Sequence, residues 1–371
     1  MRLPSRVTPK ALALLALVAV SASPDERAVA GPAETLAWER DGSLRAAVRR
    51  GAAENRLVLA KLGTSWCSAC RRLERVLGEP SLRPRLDRFV RLAYDAEVGE
   101  GRDVARRYNV VTYPTLLVLG PDGRERDRAT GFLAAEALLT RLAEIEDGSG
   151  TLAELEKRLA ETPADLALRL RVGTSWALRG ERRAALRHLE LVVQSDPDNR
   201  RGLAAPALLA KGKILLLRSL GEHALAAATL AELRRRFPRA PEAEAAVFSL
   251  AQALEREGKP RAADAVLRGW ARTAAQHATA AWFYVLERTR PTAGLDHARR
   301  AALLDAKDLD AIEAAARLHE HAGELAEAER AWQRAVALAP TEAFFRRRVA
   351  LCRELLGQRA RSSWPGGTEP R

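Results

Sequence analysis

The feature that most constrains this chain is a pair of cysteines two residues apart, set where one hydrophobic periodicity gives way to another. Leu57-Val58-Leu59-Ala60-Lys61-Leu62 is a short run suited to a buried strand. Gly63-Thr64-Ser65 breaks it, Trp66-Cys67-Ser68-Ala69-Cys70 follows, and Arg71–Leu77 has a helical pattern. A cysteine at a helix start lies beside free backbone N–H groups and the positive end of the helix dipole, and both favour thiolate. Cys70, one turn on, points the same way and can close a small disulfide with Cys67. That spacing suits thiol–disulfide exchange, in which Cys67 attacks a disulfide and Cys70 resolves the mixed disulfide. The alternative at this point is a purely structural Cys67–Cys70 bridge.

The surroundings narrow the reading. Val90–Asp95 has the pattern of a second strand and Arg102–Tyr108 that of a helix. The apolar stretch Val110–Leu119 is expected to be a strand, with Gly120-Pro121-Asp122-Gly123 as a hairpin turn after it. Pro114 near the start of such a strand is unusual unless its peptide bond is special. Leu133–Glu146 closes the unit as an amphipathic helix. Haem attachment is excluded because Arg71 stands where a CxxCH motif needs histidine. Zinc is excluded here because two cysteines fall short of about four ligands. A copper-delivery role wants a nearby histidine ligand, and all six histidines (188, 223, 277, 297, 319 and 321) lie outside this stretch.

On these residues the segment 42–146 resembles a thioredoxin fold: WCxxC, a Thr112-Tyr113-Pro114-Thr115 segment whose proline lies 44 residues past Cys70, and the PDG hairpin. It is similar to the carboxyl-terminal domain of the DsbD-type periplasmic thiol reductants. The shared features are Glu74 in the helix after CxxC, Glu79-Pro80-Ser81, and Thr130-Gly131-Phe132. The resemblance implies that Pro114 is cis and packs beside the disulfide. It implies that Tyr113, with Thr112 beside it, contacts substrate through its backbone, and that Trp66 flanks the reactive sulfur. It also exposes a departure. Where thioredoxin keeps a buried Asp six residues before the first cysteine, this chain has Lys61. Lys61 could favour thiolate at Cys70, act as a base if burial depresses its pKa, or reach out to solvent. No His lies between the cysteines, which leans away from the strong oxidants of this fold and toward a reductant or exchanger.

The amino terminus points outward from the cytoplasm. Arg2, Arg6 and Lys10 precede the apolar run Ala11–Val20, and Val20-Ser21-Ala22 offers small residues for cleavage, so residues 1–22 are expected to be a signal peptide. The expected location is periplasmic or secreted, where disulfides persist. That apolar run, the longest in the chain, has ten residues against the roughly 20 needed to span a bilayer, so no transmembrane span is expected. The net charge of +13 comes from 61 basic residues, only seven of them Lys, interspersed with 48 acidic ones. Without an aromatic stacking platform this reads as solvated helix faces and not as a nucleic-acid surface.

Beyond Asp147-Gly148-Ser149-Gly150, expected to be a linker, strand signals end. Residues 151–357 read as an all-α array and 358–371 as a disordered tail. Gly180, Gly221, Gly258 and Gly323 are each followed at the fifth residue by Ala185, Ala226, Ala263 and Ala328, and at the ninth by Leu189, Leu230, Leu267 and Trp332. Pro197, Pro238 and Pro340 close three of these units. Glycine makes the turn of a helix hairpin, alanine lets the two helices approach, and the ninth residue fills the groove. With Val172-Gly173 and Trp176 in a preceding helix, the array resembles tetratricopeptide repeats. The 65-residue gap between Gly258 and Gly323 leaves room for one divergent repeat around Trp282–Asp305. Such arrays present a face that binds proteins or peptides. Cys352 reads as a buried apolar residue.

The expected fold is thus an α/β thioredoxin fold followed by a tetratricopeptide-like solenoid. The expected function is thiol–disulfide exchange on protein thiols and disulfides at Cys67 and Cys70, supported by Trp66, Pro114 and Lys61, with a separate dithiol protein as redox partner. The array would recruit protein partners, and no metal or organic cofactor is implied. The alternative is a non-enzymatic envelope adaptor with the thioredoxin fold as a binding module.

Overall fold

In a computed structural model of the chain, which describes residues 38–217 and 221–362, the run at 57–62 forms the central strand of a five-stranded sheet. The strands are β1 (Glu39–Arg40), β2 (Leu57–Gly63), β3 (Phe89–Asp95), β4 (Thr115–Leu119) and β5 (Glu125–Thr130), in the order β1-β3-β2-β4-β5. β1, β3 and β2 are parallel, β4 runs antiparallel to β2, and β5 runs antiparallel to β4. Successive side chains of β2 alternate between the two faces of the sheet. Val58, Ala60 and Leu62 pack into a layer with α1 (Leu44–Glu54) and α4 (Gly99–Arg107). Leu59 packs into the opposite layer with Leu73 and Leu77 of α2 (Ser68–Leu77) and Leu138 and Leu142 of α5 (Ala135–Asp147). A short α3 (Arg83–Leu86) precedes β3.

Two readings change. The apolar stretch from Val110 is not strand until Thr115, because Pro114 has no N–H to give a ladder and residues 110–114 form a loop instead. The Asp147–Gly150 segment is a closed turn: Gly148 caps α5 with φ of 87°, Gly150 N donates to Glu144 O at 3.2 Å, and Arg141 Nη1 donates to Gly150 O at 3.0 Å. The expected signal peptide lies outside the described residues.

The described residues form two compact units, one ending at Glu222 and one beginning at His223. The first continues past the sheet with α6 (Leu152–Glu161), α7 (Leu166–Leu178), α8 (Arg182–Ser195) and α9 (Ala204–Leu215). The second holds α10 (His223–Arg236), α11 (Pro241–Arg256), α12 (Pro260–Trp270), α13 (Ala274–Glu287), α14 (Pro291–Leu304), α15 (Leu309–Ala322), α16 (Leu325–Leu338) and α17 (Ala343–Ser362). α17 therefore runs past residue 357 into the segment expected to be a tail, and 363–371 lie outside the described residues.

Most neighbouring helices pair as hairpins within each unit, among them α7 with α8, α10 with α11, α11 with α12, α13 with α14, and α15 with α16. Gly180, Gly258 and Gly323, at the α7–α8, α11–α12 and α15–α16 turns, have φ between 72° and 84°, the left-handed conformation that a helix-to-helix turn asks of glycine, and Gly221 has φ of 66°. Ala185, Ala226, Ala263 and Ala328 are fully buried, as are Leu189, Leu230, Leu267 and Trp332. α13 and α14 supply the divergent repeat, whose turn uses Arg288 and Arg290 at positive φ in place of glycine. Among the described residues no helix is long and apolar enough to cross a membrane.

Candidate functional site

The site lies where β2 ends and α2 begins. Cys67 is the N-cap of α2, its Sγ accepts the N–H of Cys70 at 3.0 Å, and the two cysteines form a disulfide with Cα atoms 5.2 Å apart. Both are almost wholly buried. In the reduced protein the same N–H and the start of the α2 dipole lie on Cys67, an environment that favours thiolate there. Cys70 lies against the end of β2. A Cβ added to Gly63 would lie 3.0 Å from Cys70 Sγ, so glycine at the end of β2 lets the disulfide lie close on the strand.

The Tyr113–Pro114 peptide bond is cis. β2 and β4 pair with Leu62 opposite Thr115, so the register continued by one residue sets Pro114 opposite Gly63. The loop is tied down behind it: Thr115 Oγ1 donates to Thr112 O at 2.7 Å and Gly131 N donates to Pro114 O at 2.8 Å. Thr112 is exposed and Tyr113 half-buried, with its phenol pushed up by burial and then by Glu97 and Asp95. Trp66, 36% exposed, donates from Nε1 to Glu97 Oε1 at 3.0 Å. The rim of the site is therefore Trp66, Glu97, Thr112 and Tyr113.

Lys61 lies on the same face of β2 as Gly63, two residues earlier, under α2. Its side chain is 10% exposed and does not reach solvent on its own; Nζ pairs with Glu74 Oε1 at 2.5 Å, one turn along α2 from Cys70. Burial lowers its pKa, against the opposing pull of Glu74. Trp38 covers it from outside, its ring centroid 5.5 Å from Nζ. A buried ammonium with one carboxylate partner is poised to exchange a proton more readily than a surface lysine.

Sequence reasoning passed over three of these residues. Gly63 was legible only as a strand breaker, Glu97 carried no motif, and Thr64 was part of the same break. Thr64 is buried and its backbone oxygen accepts the N–H of Cys67 at 3.2 Å, shaping the turn into α2. Cys352 belongs to the second unit, where it is buried beside Trp332 and Phe345 with its thiol pushed up to about 11 by burial and by Glu320.

Comparison with known proteins agrees with the geometry. A family model for thioredoxin-like proteins matches residues 37–121. Over 103 residues the chain is 35% identical to the thiol:disulfide interchange protein DsbD of Pseudomonas fluorescens, spanning 26% of this chain and 18% of that protein. Over 92 residues it is 35% identical to the thiol:disulfide interchange protein DsbD 2 of Pseudomonas aeruginosa, spanning 24% and 16%. The chain thus spans less than a fifth of the length of these curated relatives. Among solved structures, a Thermus thermophilus thioredoxin matches 30% of this chain and 87% of its own at 27% identity and a TM-score of 0.27. The P58(IPK) TPR domain matches 60% of this chain and 68% of its own at 16% identity and a TM-score of 0.25. Scores this low assign nothing, and the fold rests on the strand order, the cysteine placement and the helix pairing. The chain joins a thioredoxin-like domain to an array of paired helices whose turns and packing resemble tetratricopeptide repeats.

Proposed function

We propose that the protein is an exported thiol–disulfide oxidoreductase, acting as a reductant or exchanger, whose helical repeats recruit protein partners. The observation that carries this reading is the Cys67–Cys70 disulfide at the start of α2, resting on Gly63 with cis-Pro114 across from it. Export is supported by the basic and apolar pattern of residues 1–22.

In the reducing direction, the Cys67 thiolate attacks one sulfur of a substrate disulfide. A Cys67–substrate disulfide forms and the other substrate sulfur leaves as thiolate. Cys70 then attacks Cys67 Sγ, closes the Cys67–Cys70 disulfide and releases the second substrate sulfur. Two electrons pass to substrate, and a separate dithiol protein returns them. Lys61 holds positive charge beneath Cys70 and lowers the cost of its thiolate, with Glu74 as counter-ion. Tyr113 and Thr112 hold the substrate chain beside the sulfurs, and Trp66 covers Cys67.

Trapping tests this directly. Cys70→Ser removes the resolving sulfur, and the variant should accumulate mixed disulfides with proteins of the envelope that are released by thiol and absent from the Cys67→Ser, Cys70→Ser double variant. An adaptor would instead retain the same partners in all cysteine variants and lose them only with the repeats. That outcome would overturn the exchange reading.

A further inference from the structure

The second strand pair of the sheet ends in charges that have no business in a sheet unless something meets them. β5 reads Glu125-Arg126-Asp127-Arg128-Ala129-Thr130, and Asp127 and Arg128 are buried. What meets Asp127 comes largely from the helical part. Oδ1 pairs with Arg179 Nη2, at the end of α7, at 2.5 Å. Oδ2 accepts the backbone N–H of Leu152, at the start of α6, at 2.9 Å, and pairs with Arg141 Nη2 of α5 at 3.1 Å. Arg179 also reaches Glu125 Oε1 at 3.0 Å. One carboxylate therefore fastens the first repeat helices to the last strand of the thioredoxin-like sheet.

The clamp delivers the α7–α8 turn to a particular place. Asn109, with φ of 46°, begins the loop that runs to cis-Pro114, and its Nδ2 donates to Arg179 O at 2.6 Å. Gly180 presses on the same loop: a Cβ there would lie 2.8 Å from Asn109 Nδ2 and 3.2 Å from Val111 Cγ1. From the other side Arg128, 2% exposed in its side chain, donates to the backbone oxygens of Tyr108 and Asn109. Residues 108–111 are thus gripped between β5 and the first repeat hairpin, immediately before Thr112, Tyr113 and Pro114.

We propose that Asn109 and Arg179 are positioning residues, and that the first repeat hairpin braces the cis-proline loop so that Thr112 and Tyr113 present their backbone to a protein substrate. The proposal rests on the exchange reading above. It makes the hairpin a support for the loop that carries Thr112 and Tyr113, not a tethered recruiter beside it. The brace does not touch the sulfurs, so it acts on protein substrates and leaves the intrinsic exchange of the cysteines alone.

The test uses the full chain and two probes. One is insulin, whose disulfides are reduced at the expense of dithiothreitol. The other is glutathione disulfide, which oxidises the reduced Cys67–Cys70 pair to the disulfide and leaves as two glutathiones. Asn109→Gly tolerates the positive φ and removes the side-chain donor to Arg179 O, and Asn109→Asp, which also tolerates that φ, removes the donor without freeing the backbone. Each should raise the KM for insulin about fivefold, the worth of one ordinary hydrogen bond, and leave kcat and the glutathione disulfide rate within about twofold. Amide exchange at Val111–Tyr113 should quicken in the same variants. Gly180→Ala, which drives a Cβ into Asn109, should move KM the same way. An unchanged KM in all three variants, or an equal fall in the rates with both probes, would overturn the brace. A wild-type chain that exchanges with neither probe would overturn the redox reading and the brace together, and is told apart because the unaltered protein already fails.

Discussion

Lys61 and Asp127 are both charged and both buried in the same sheet, and they are held in opposite ways. Lys61 on β2 has one charged partner, Glu74, whose side chain is 45% exposed, and its pKa is lowered by burial. Asp127 on β5 is 1% exposed, with two guanidinium groups and the backbone N–H groups of Leu152 and Arg128 on its oxygens. A buried charge with a full set of partners is a fastening, whereas one with a single half-solvated partner keeps the freedom to give up its proton. The first lies away from the sulfurs and joins the sheet to the repeats. The second lies two residues before Gly63 on β2 and pairs with Glu74, one turn along α2 from Cys70.

The contrast breaks most visibly by removing the fastening. Asp127→Ala removes the buried carboxylate that Arg141 and Arg179 share and leaves the Leu152 N–H without its acceptor, and should destabilise the first unit by about 3–5 kcal/mol, read as a lowered denaturant midpoint. A change under about 1 kcal/mol would show that the cluster behaves like surface charge. Acid should act next, on the second unit. His277 and His297 meet there Nδ1 to Nδ1 at 2.9 Å, with Tyr284 stacked on His297. Burial holds both rings below the usual imidazole range, His297 down to about 4 with His277, Arg300 and Arg268 pushing the same way and Asp264 opposing. The unfolded chain therefore takes up protons that the folded pair refuses. Stability from the pair is complete above pH about 6.5 and is lost as pH falls from there toward about 4. His297→Phe should flatten that slope in a pH series of unfolding curves.

Lys61→Met sharpens the other side of the comparison. Glu74 can turn to solvent, so stability should hold, while loss of the charge beneath Cys70 should slow resolution of the mixed disulfide on the order of tenfold near pH 7. Rapid-mixing kinetics of the second step would read this, and an unaltered rate would make Lys61 a packing residue. The smallest effects belong to turn glycines. Gly258→Ala forces alanine into a left-handed turn with open space around it and should cost about 1 kcal/mol in thermal unfolding. Gly180→Ala should cost more, because its Cβ also meets Asn109.

The same contrast explains what the sequence disclosed. β2 announces itself through Leu57, Val58, Leu59, Ala60 and Leu62, and the hairpins through glycine and alanine at fixed spacing, because apolar burial and turn sterics are written in residue type. β5 does not. Its buried residues include Asp127 and Arg128, and the partners of Asp127, Arg141 and Arg179, lie 14 and 52 residues along the chain, so little in the strand itself marks it. Cys67, Cys70 and Pro114 were legible as a motif. Gly63 and Glu97 were not, because their roles depend on which strand end and which helix start meet. The turn at 148–150 looked like a linker for the same reason: its hold on Arg141 and Glu144 is a tertiary fact.

The central claim is that Cys67 and Cys70 exchange electrons reversibly with other thiols. Equilibration of the full chain with glutathione and dithiothreitol buffers of defined potential tests it most directly. The account predicts a reversible two-electron transition near about −200 mV or below, with the protein folded throughout. A transition near about −120 mV would reverse the direction of electron flow. A disulfide that stays closed until the protein unfolds would contradict the account and leave a structural bridge in an adaptor.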